Sequence, residues 1–404
     1  MGGCAPGWAT IAAVDGIDLP IETMRRRRGA KWRAYGEDVL PAWIADMDFD
    51  VAEPVQRALV RLVSERDYGY AHREGEERLE VAFAARMRER FGWEVDPDRV
   101  VPVADLVQAI VAAVVAFSER GDGVVVQTPI YPPFLGAIAD TGRRRVVNAL
   151  VDDGRRLVLD ADGLGRAVDA GTRVLLLCNP HNPSGRVLER GELEAVARVA
   201  VERDVVIVAD EAHCDLVYPG HRHVPVATLG DEVAARTVTL HTATKSFNIP
   251  GLRCGVVHFG SEALLRRFGE TFPRRLLGAV GVMGVDATVA AWREGQPWLD
   301  AVLGALRSNR DRLAEWVAGV APAIRHHLPE ATFLAWLDCR DLGLPSPPRQ
   351  FFLDEARVAL HGGADFGPGA DAGVRLNFAT SPAILDELLG RMTAALERAS
   401  RGPR

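Results

Sequence analysis

The chain has 404 residues, of which 48% are hydrophobic and 25% charged, with a formal net charge of −7. This length and balance fit a soluble globular enzyme of two or three domains with a sizeable core, and the acidic balance disfavours a nucleic-acid partner, which needs concentrated Lys and Arg to neutralise phosphate. The five cysteines (Cys4, Cys178, Cys214, Cys254 and Cys339) are scattered, with no C-x-x-C pair. They suggest neither a metal site nor a disulfide framework and fit a reducing cytoplasm.

Segment 1–16 lacks the basic-then-apolar order of a signal peptide. The first forty residues read as irregular. The run RRRRG at 25–29 reads as a solvated charged segment, because no second basic cluster with interleaved aromatics accompanies it. The most apolar stretch, LVQAIVAAVVAF at 106–117, is too short to cross a bilayer and predicts a core helix, so no membrane partner is expected.

From there, β-branched runs alternate with helical patterns. Strands are predicted over 123–129, 173–180, 204–212, 236–244 and 254–260, and ERGELEAVARVAVER at 189–203 carries the apolar stripe of a surface helix. Continuous apolar strands separated by helices imply an α/β fold whose sheet is mostly parallel and covered on both faces. After about residue 290 the character changes. A long amphipathic helix is predicted over 298–320 and a strand over 331–339, which gives a smaller α+β C-terminal domain. The expected division is an N-terminal arm 1–45 packing with the small domain, a large domain 46–290 and a small domain 291–404.

The strand ends carry residues that a structural role explains poorly. Strand 173–178 runs into NPHNPSG with Asn179 and Asn182, and strand 204–209 ends in Asp210, Glu211 and His213. Lys245 follows strand 236–241, and TPIYPPF with Tyr131 follows strand 123–127. In α/β sheets, ligands bind at such ends. An acid, an amide, a lysine and an aromatic ring together suit a pyridine aldehyde cofactor: the lysine forms a Schiff base, the acid holds the ring nitrogen protonated, the amide bonds the phenolic oxygen and the ring stacks. An anion about 4 Å from a cationic ring nitrogen is worth roughly 4 kcal/mol at an effective dielectric of 20, or some three pKa units. The start of helix 106–117 offers free N–H groups for a phosphate. Asp105 there would repel the phosphate unless it turns away or caps the helix.

With these residues in view, the sequence resembles the fold-type I pyridoxal-phosphate enzymes of the class I/II aminotransferase superfamily, and within it the MalY/PatB carbon–sulfur lyases of cystathionine β-lyase type. The matching blocks are KWRAYGEDVLPAWIADMDF (31–49), YGY (68–70), ERGDGVVVQTPIYPPF (119–134), LLLCNPHNPSGRV (175–187), VADEAHCDLVYPGHRHVPVATL (208–229), TATKSFNIPGLRCG (242–255) and RLNFATSP (375–382). The resemblance implies pyridoxal 5'-phosphate as cofactor, with Lys245 as the Schiff-base lysine, Asp210 at the ring nitrogen, Asn182 at the phenolic oxygen and Tyr131 stacked on the ring. It places the amides of Leu106 and Val107, the Thr242 hydroxyl and Arg253 around the phosphate. Tyr70 would reach the phosphate of a partner subunit, implying a homodimer with shared active sites.

It further implies that Arg375, with Asn182 beside it, clamps the carboxylate of a small amino-acid substrate, and that Lys245, Asp210 and His213 are catalytic. His213 stands where many aminotransferases carry tyrosine, which resembles the lyase branch; a histidine merely bonded in the core is the alternative. Elimination of thiol from cystathionine or an S-substituted cysteine is therefore expected, with transamination as the competing outcome and a partner-binding regulatory protein as the third.

Overall fold

The computed structural model describes residues 16–401; Cys4 and all but the last residue of the segment 1–16 read as lacking a signal peptide lie outside them. Seven strands form the central sheet: β1 (Val100–Val103), β2 (Gly123–Val126), β3 (Arg144–Val147), β4 (Thr172–Cys178), β5 (Val206–Asp210), β6 (Thr237–His241) and β7 (Gly255–Phe259). Their spatial order is β1-β7-β6-β5-β4-β2-β3. Neighbours from β6 across to β3 are parallel, whereas β7 runs antiparallel to both β6 and β1. The expected mostly parallel sheet is present, with one reversed strand that no local pattern announced. The two edge strands, β1 and β3, were not predicted either; β1 carries Pro102, which a sheet tolerates at its edge.

Alternate residues of these strands enter separate apolar layers. Val124, Val126, Leu176 and Val208 pack on one face with helix α3 (Leu106–Phe117), whereas Val125, Leu175, Leu177 and Ile207 pack on the other with α4 (Arg190–Glu202). Both faces are thus buried, which is why the strands read as unbroken apolar runs. Helices α1 (Glu53–Glu65) and α2 (Leu79–Phe91) pack against α5 (Val282–Glu294). Residues 16–40 are less irregular than expected, with short helices at Ile21–Arg26 and Ala30–Arg33.

C-terminal to this, α6 (Gln296–Val320) leads into a four-stranded antiparallel sheet of β8 (Arg325–His326), β9 (Leu334–Asp338), β10 (His361–Gly362) and β11 (Gly373–Asn377), followed by α7 (Pro382–Ser400). The segment 40–49 joins the two sheets. Leu40 and Pro41 pair with Val358 and Ala359, and the Asn377 amide donates to the carbonyls of Ile44 and Asp46, both at 2.7 Å. From the other side, the Asn248 side chain accepts from Met47 N–H at 3.0 Å and donates to Phe49 O at 2.8 Å. Lys31, itself buried, locks the same segment through a 2.8 Å ion pair with buried Asp48. Such a pair holds register more than it adds net stability. Among the described residues no helix is long and apolar enough to cross a membrane.

Candidate active site

Because β2, β4, β5 and β6 are parallel, their carboxyl ends share one edge of the sheet. Cys178 ends β4 directly opposite Asp210 at the end of β5. A cavity of about 140 Å³ opens at this edge, lined by Leu106, Val107, Tyr131, Asn182, Asp210, His213, Thr242, Lys245 and Arg253, together with Ala45, Thr244, Cys178 and Cys254. Nine residues assigned from sequence therefore converge on one space. Two do not line it: Arg375 stands behind Asn182, and Tyr70 is 99% exposed, away from this chain's cavity.

Lys245 lies in the single turn Ala243–Ser246 that follows β6, where Thr242 caps the turn by accepting from Thr244 N–H at 3.0 Å. Its amine is half-buried and donates to Ala45 O at 3.1 Å. Desolvation, and then the Arg375 cation, hold its ammonium below the usual lysine range, which favours the free amine needed for nucleophilic and base chemistry. Asp210 is buried and accepts from Ala212 N–H at 3.1 Å. Burial pushes its carboxyl up to about 6, opposed in part by that bond and by Lys245. A buried carboxylate facing a cavity with so little compensation calls for a cationic group from outside the chain. Tyr131 stays a phenol, because burial, and to a smaller degree Asp210, raise its hydroxyl.

Arg375 is 2% exposed, and its guanidinium donates to Asn182 Oδ1 at 3.0 Å and to Trp43 O at 2.9 Å, while its Nε has no partner among the described residues. Burial lowers it to about 10, so it is still a cation at neutral pH. His213 is buried in the cavity wall, packs edge-on to Phe333 and leaves Nδ1 without a partner among the described residues. Burial brings it down to about 3, so it is a neutral imidazole under working conditions. It is neither the simply bonded core histidine of the alternative reading nor an available cation.

At the far end, Asp105 does cap α3: its carboxylate accepts from Val107 N–H at 2.8 Å and from Gln108 N–H at 3.2 Å, and it pairs with Arg253 at 3.0 Å. The Thr242 hydroxyl lies 2.6 Å from Cys254 O and 2.9 Å from Thr244 Oγ1. Of the four groups expected around a phosphate, Val107, Arg253 and Thr242 thus already have internal partners, and an anion seated there must displace Asp105. Sequence reasoning did not anticipate the carbonyls of Trp43 and Ala45, because backbone acceptors have no residue-type signature. The polar set fits pyridoxal phosphate: an amine, an uncompensated carboxylate, an amide and an aromatic ring surround one cavity beside a helix N-terminus.

Comparison with known proteins agrees with this geometry. The family model "Aminotransferase class I and II" matches residues 44–392. Cystathionine beta-lyase PatB of Bacillus subtilis is 34% identical over 376 residues, covering 91% of this chain and 97% of the relative. Among solved structures, OvoB superposes with a TM-score of 0.89 at 40% identity, covering 95% of this chain and 99% of that one. Cystalysin from Treponema denticola, which contains a pyridoxal 5'-phosphate cofactor, superposes with a TM-score of 0.88 at 27% identity, covering 93% and 97%. A family model spanning most of the chain, with relatives that match it nearly end to end, places this protein in the aminotransferase class I and II family.

Proposed function

We propose that the chain cleaves the Cβ–S bond of cystathionine or another S-substituted cysteine, releasing a thiol, pyruvate and ammonia. It is a pyridoxal-phosphate-dependent enzyme of the carbon–sulfur lyase type. The observation that carries the reading is one cavity at the strand ends that gathers Lys245, Asp210, Asn182 and Tyr131 and touches, through Asn182, a buried guanidinium with an unused N–H.

Lys245 would bind the cofactor's aldehyde carbon, Asp210 its ring nitrogen, Asn182 its phenolic oxygen and Tyr131 its ring face, with Leu106, Thr242 and Arg253 toward the phosphate. When bound, the cofactor supplies an electron sink conjugated to the substrate Cα. Arg375 holds the substrate carboxylate through its charge and its unpartnered Nε–H, which orients Cα. Lys245, whose basicity is lowered by desolvation so that the free amine is favoured, is the group placed to take the Cα proton. The thiolate then leaves Cβ, and elimination is fastest when the held conformer sets the C–S bond parallel to the acceptor π-system. Neutral His213 in the cavity wall is suited to hydrogen-bond the leaving group without adding charge. The enamine released hydrolyses in water to pyruvate and ammonia.

An S-alkyl cysteine is therefore expected to give thiol, pyruvate and ammonia over many turnovers with no added oxo acid, measured by thiol release and lactate-dehydrogenase coupling. Stalling after about one turnover per site, with rescue by an oxo acid, would make it an aminotransferase.

The same reading includes a homodimer in which Tyr70 serves the neighbouring site, supported by its full exposure away from its own chain's cavity. If Lys245→Ala and Tyr70→Phe are each severely impaired, mixed dimers are expected to regain part of the activity, because one of their two sites then has both residues. Verified hybrids that stay inactive would place both residues in one subunit's site. The division into arm 1–45, cofactor unit 46–290 and C-terminal unit 291–404 belongs to the proposal as well. It is supported by the seven-stranded sheet falling within the second span, the four-stranded sheet within the third, and the pairing of Leu40–Pro41 with Val358–Ala359. A cytoplasmic setting completes the reading, consistent with four free, buried cysteines among the described residues.

A further inference from the structure

Arg375 in β11 has His361 of β10 as its direct cross-strand neighbour. Residues opposite each other on an antiparallel pair share a face, so the two side chains meet. Arg375 Nη2 lies 3.2 Å from His361 Nδ1. A guanidinium can only donate, so Nδ1 is the acceptor and the ring proton sits on Nε2, which is 3.2 Å from the Asp365 carboxylate. Burial, and then the Arg375 charge, lower the imidazole to about 4, which keeps it in this neutral form at neutral pH.

The acceptors that fix the guanidinium are therefore all uncharged: the Asn182 amide oxygen, the Trp43 carbonyl and the His361 imidazole. Asp365 bonds the far edge of the ring. A carboxylate in direct contact would have neutralised the buried cation and competed with an incoming anion; a neutral acceptor orients it and leaves its charge free. We propose that His361 is a positioning residue that orients Arg375 for the substrate carboxylate without compensating its charge, with Asp365 setting the tautomer. This rests on the reading of Arg375 as the carboxylate clamp.

The test compares His361→Gln and His361→Glu, two side chains of nearly equal shape, in the cofactor-loaded enzyme with an S-alkyl cysteine, alongside His361→Ala and Arg375→Lys. Gln, which restores a neutral acceptor, is expected to keep KM within about 3-fold of the parent, Ala to raise it about 10-fold and Glu at least about 30-fold, with kcat changed by less than about 3-fold throughout and the absorption of the bound cofactor unaltered. Equal KM values for Gln and Glu, or a parental KM for Ala, would overturn the proposal; should Glu fail to fold, the Gln-to-Ala difference decides. If Arg375→Lys raises KM while the His361 series is flat, only the role of His361 is lost. If Arg375→Lys also leaves KM unchanged, the clamp itself lies elsewhere.

Discussion

Lys245→Ala is expected to abolish both turnover and the borohydride-fixed attachment of cofactor to the chain, while leaving the fold intact. The amine sits at the end of β6, lowered in basicity by desolvation and by Arg375, and among the described residues it makes a single hydrogen bond, to Ala45 O. Removing it takes away the covalent anchor and the base together, so the loss exceeds the 10²–10⁴-fold usual for removing a general base alone, by order of magnitude about 10⁵-fold or more. Truncation also leaves only a carbonyl without a donor at a half-buried position, a cost of about 1 kcal/mol that a stable domain tolerates. Peptide mapping after borohydride treatment checks the result directly. A reduced adduct carried by another residue in the variant would remove Lys245 from its assigned role.

Asp210→Asn is expected to lower kcat by about 10³-fold, because the roughly 4 kcal/mol of ionic support for a cationic ring nitrogen is lost. The same substitution should stabilise the protein when cofactor is absent. In the fold the carboxyl is raised from its ordinary 3.8 to about 6, so the folded chain binds this proton more tightly than the unfolded one. Stability from this group is complete below pH 3.8, falls as pH rises and is gone above about 6. At pH 8 the ionised Asp210 therefore costs the cofactor-free fold about 3 kcal/mol, which Asn avoids. Urea unfolding of the two cofactor-free proteins should show the variant ahead at pH 8, with the gap shrinking by pH 5. A folded, loaded Asn variant with near-parental kcat, or a cofactor-free variant no more stable at pH 8, would contradict the assigned electrostatics.

Much of the sheet was legible because its strands are buried on both faces, so that VVV, LLL and VIV runs stand out against polar loops. Helices 106–117 and 189–203 were legible for the same reason, one by its uninterrupted apolar content and the other by its stripe. The edge strands β1 and β3 were hidden, the first being short and interrupted by Pro102 and the second short and opened by two arginines, and the reversed direction of β7 depends on which neighbour it meets rather than on its own residues. At the site, side chains with distinctive chemistry could be picked out in order along the chain. Asp105 could be seen as a conflict with phosphate, but only its backbone geometry shows that it caps α3 and pairs with Arg253. His361 gave no signal, because its meaning lies in a cross-strand pairing with a residue fourteen positions away.

The segment 43–49, pinned by Asn377 at Ile44 and Asp46 and by Asn248 at Met47 and Phe49, offers Trp43 O to Arg375 and Ala45 O to Lys245. In the proposed roles, these neighbouring carbonyls set how far the carboxylate holder stands from the proton acceptor, and Asp210 across the cavity defines a third fixed direction. Three unlike contacts on a rigid frame cannot all be met by both hands of an amino acid. Whichever enantiomer can seat its carboxylate on Arg375 and its amine toward the cofactor with its Cα hydrogen facing Lys245, its mirror image seated the same way turns that hydrogen to the opposite side. In the proposed roles, enantiomer selection thus depends in part on a short stretch of main chain, whose two peptide oxygens help to hold Arg375 and Lys245 apart.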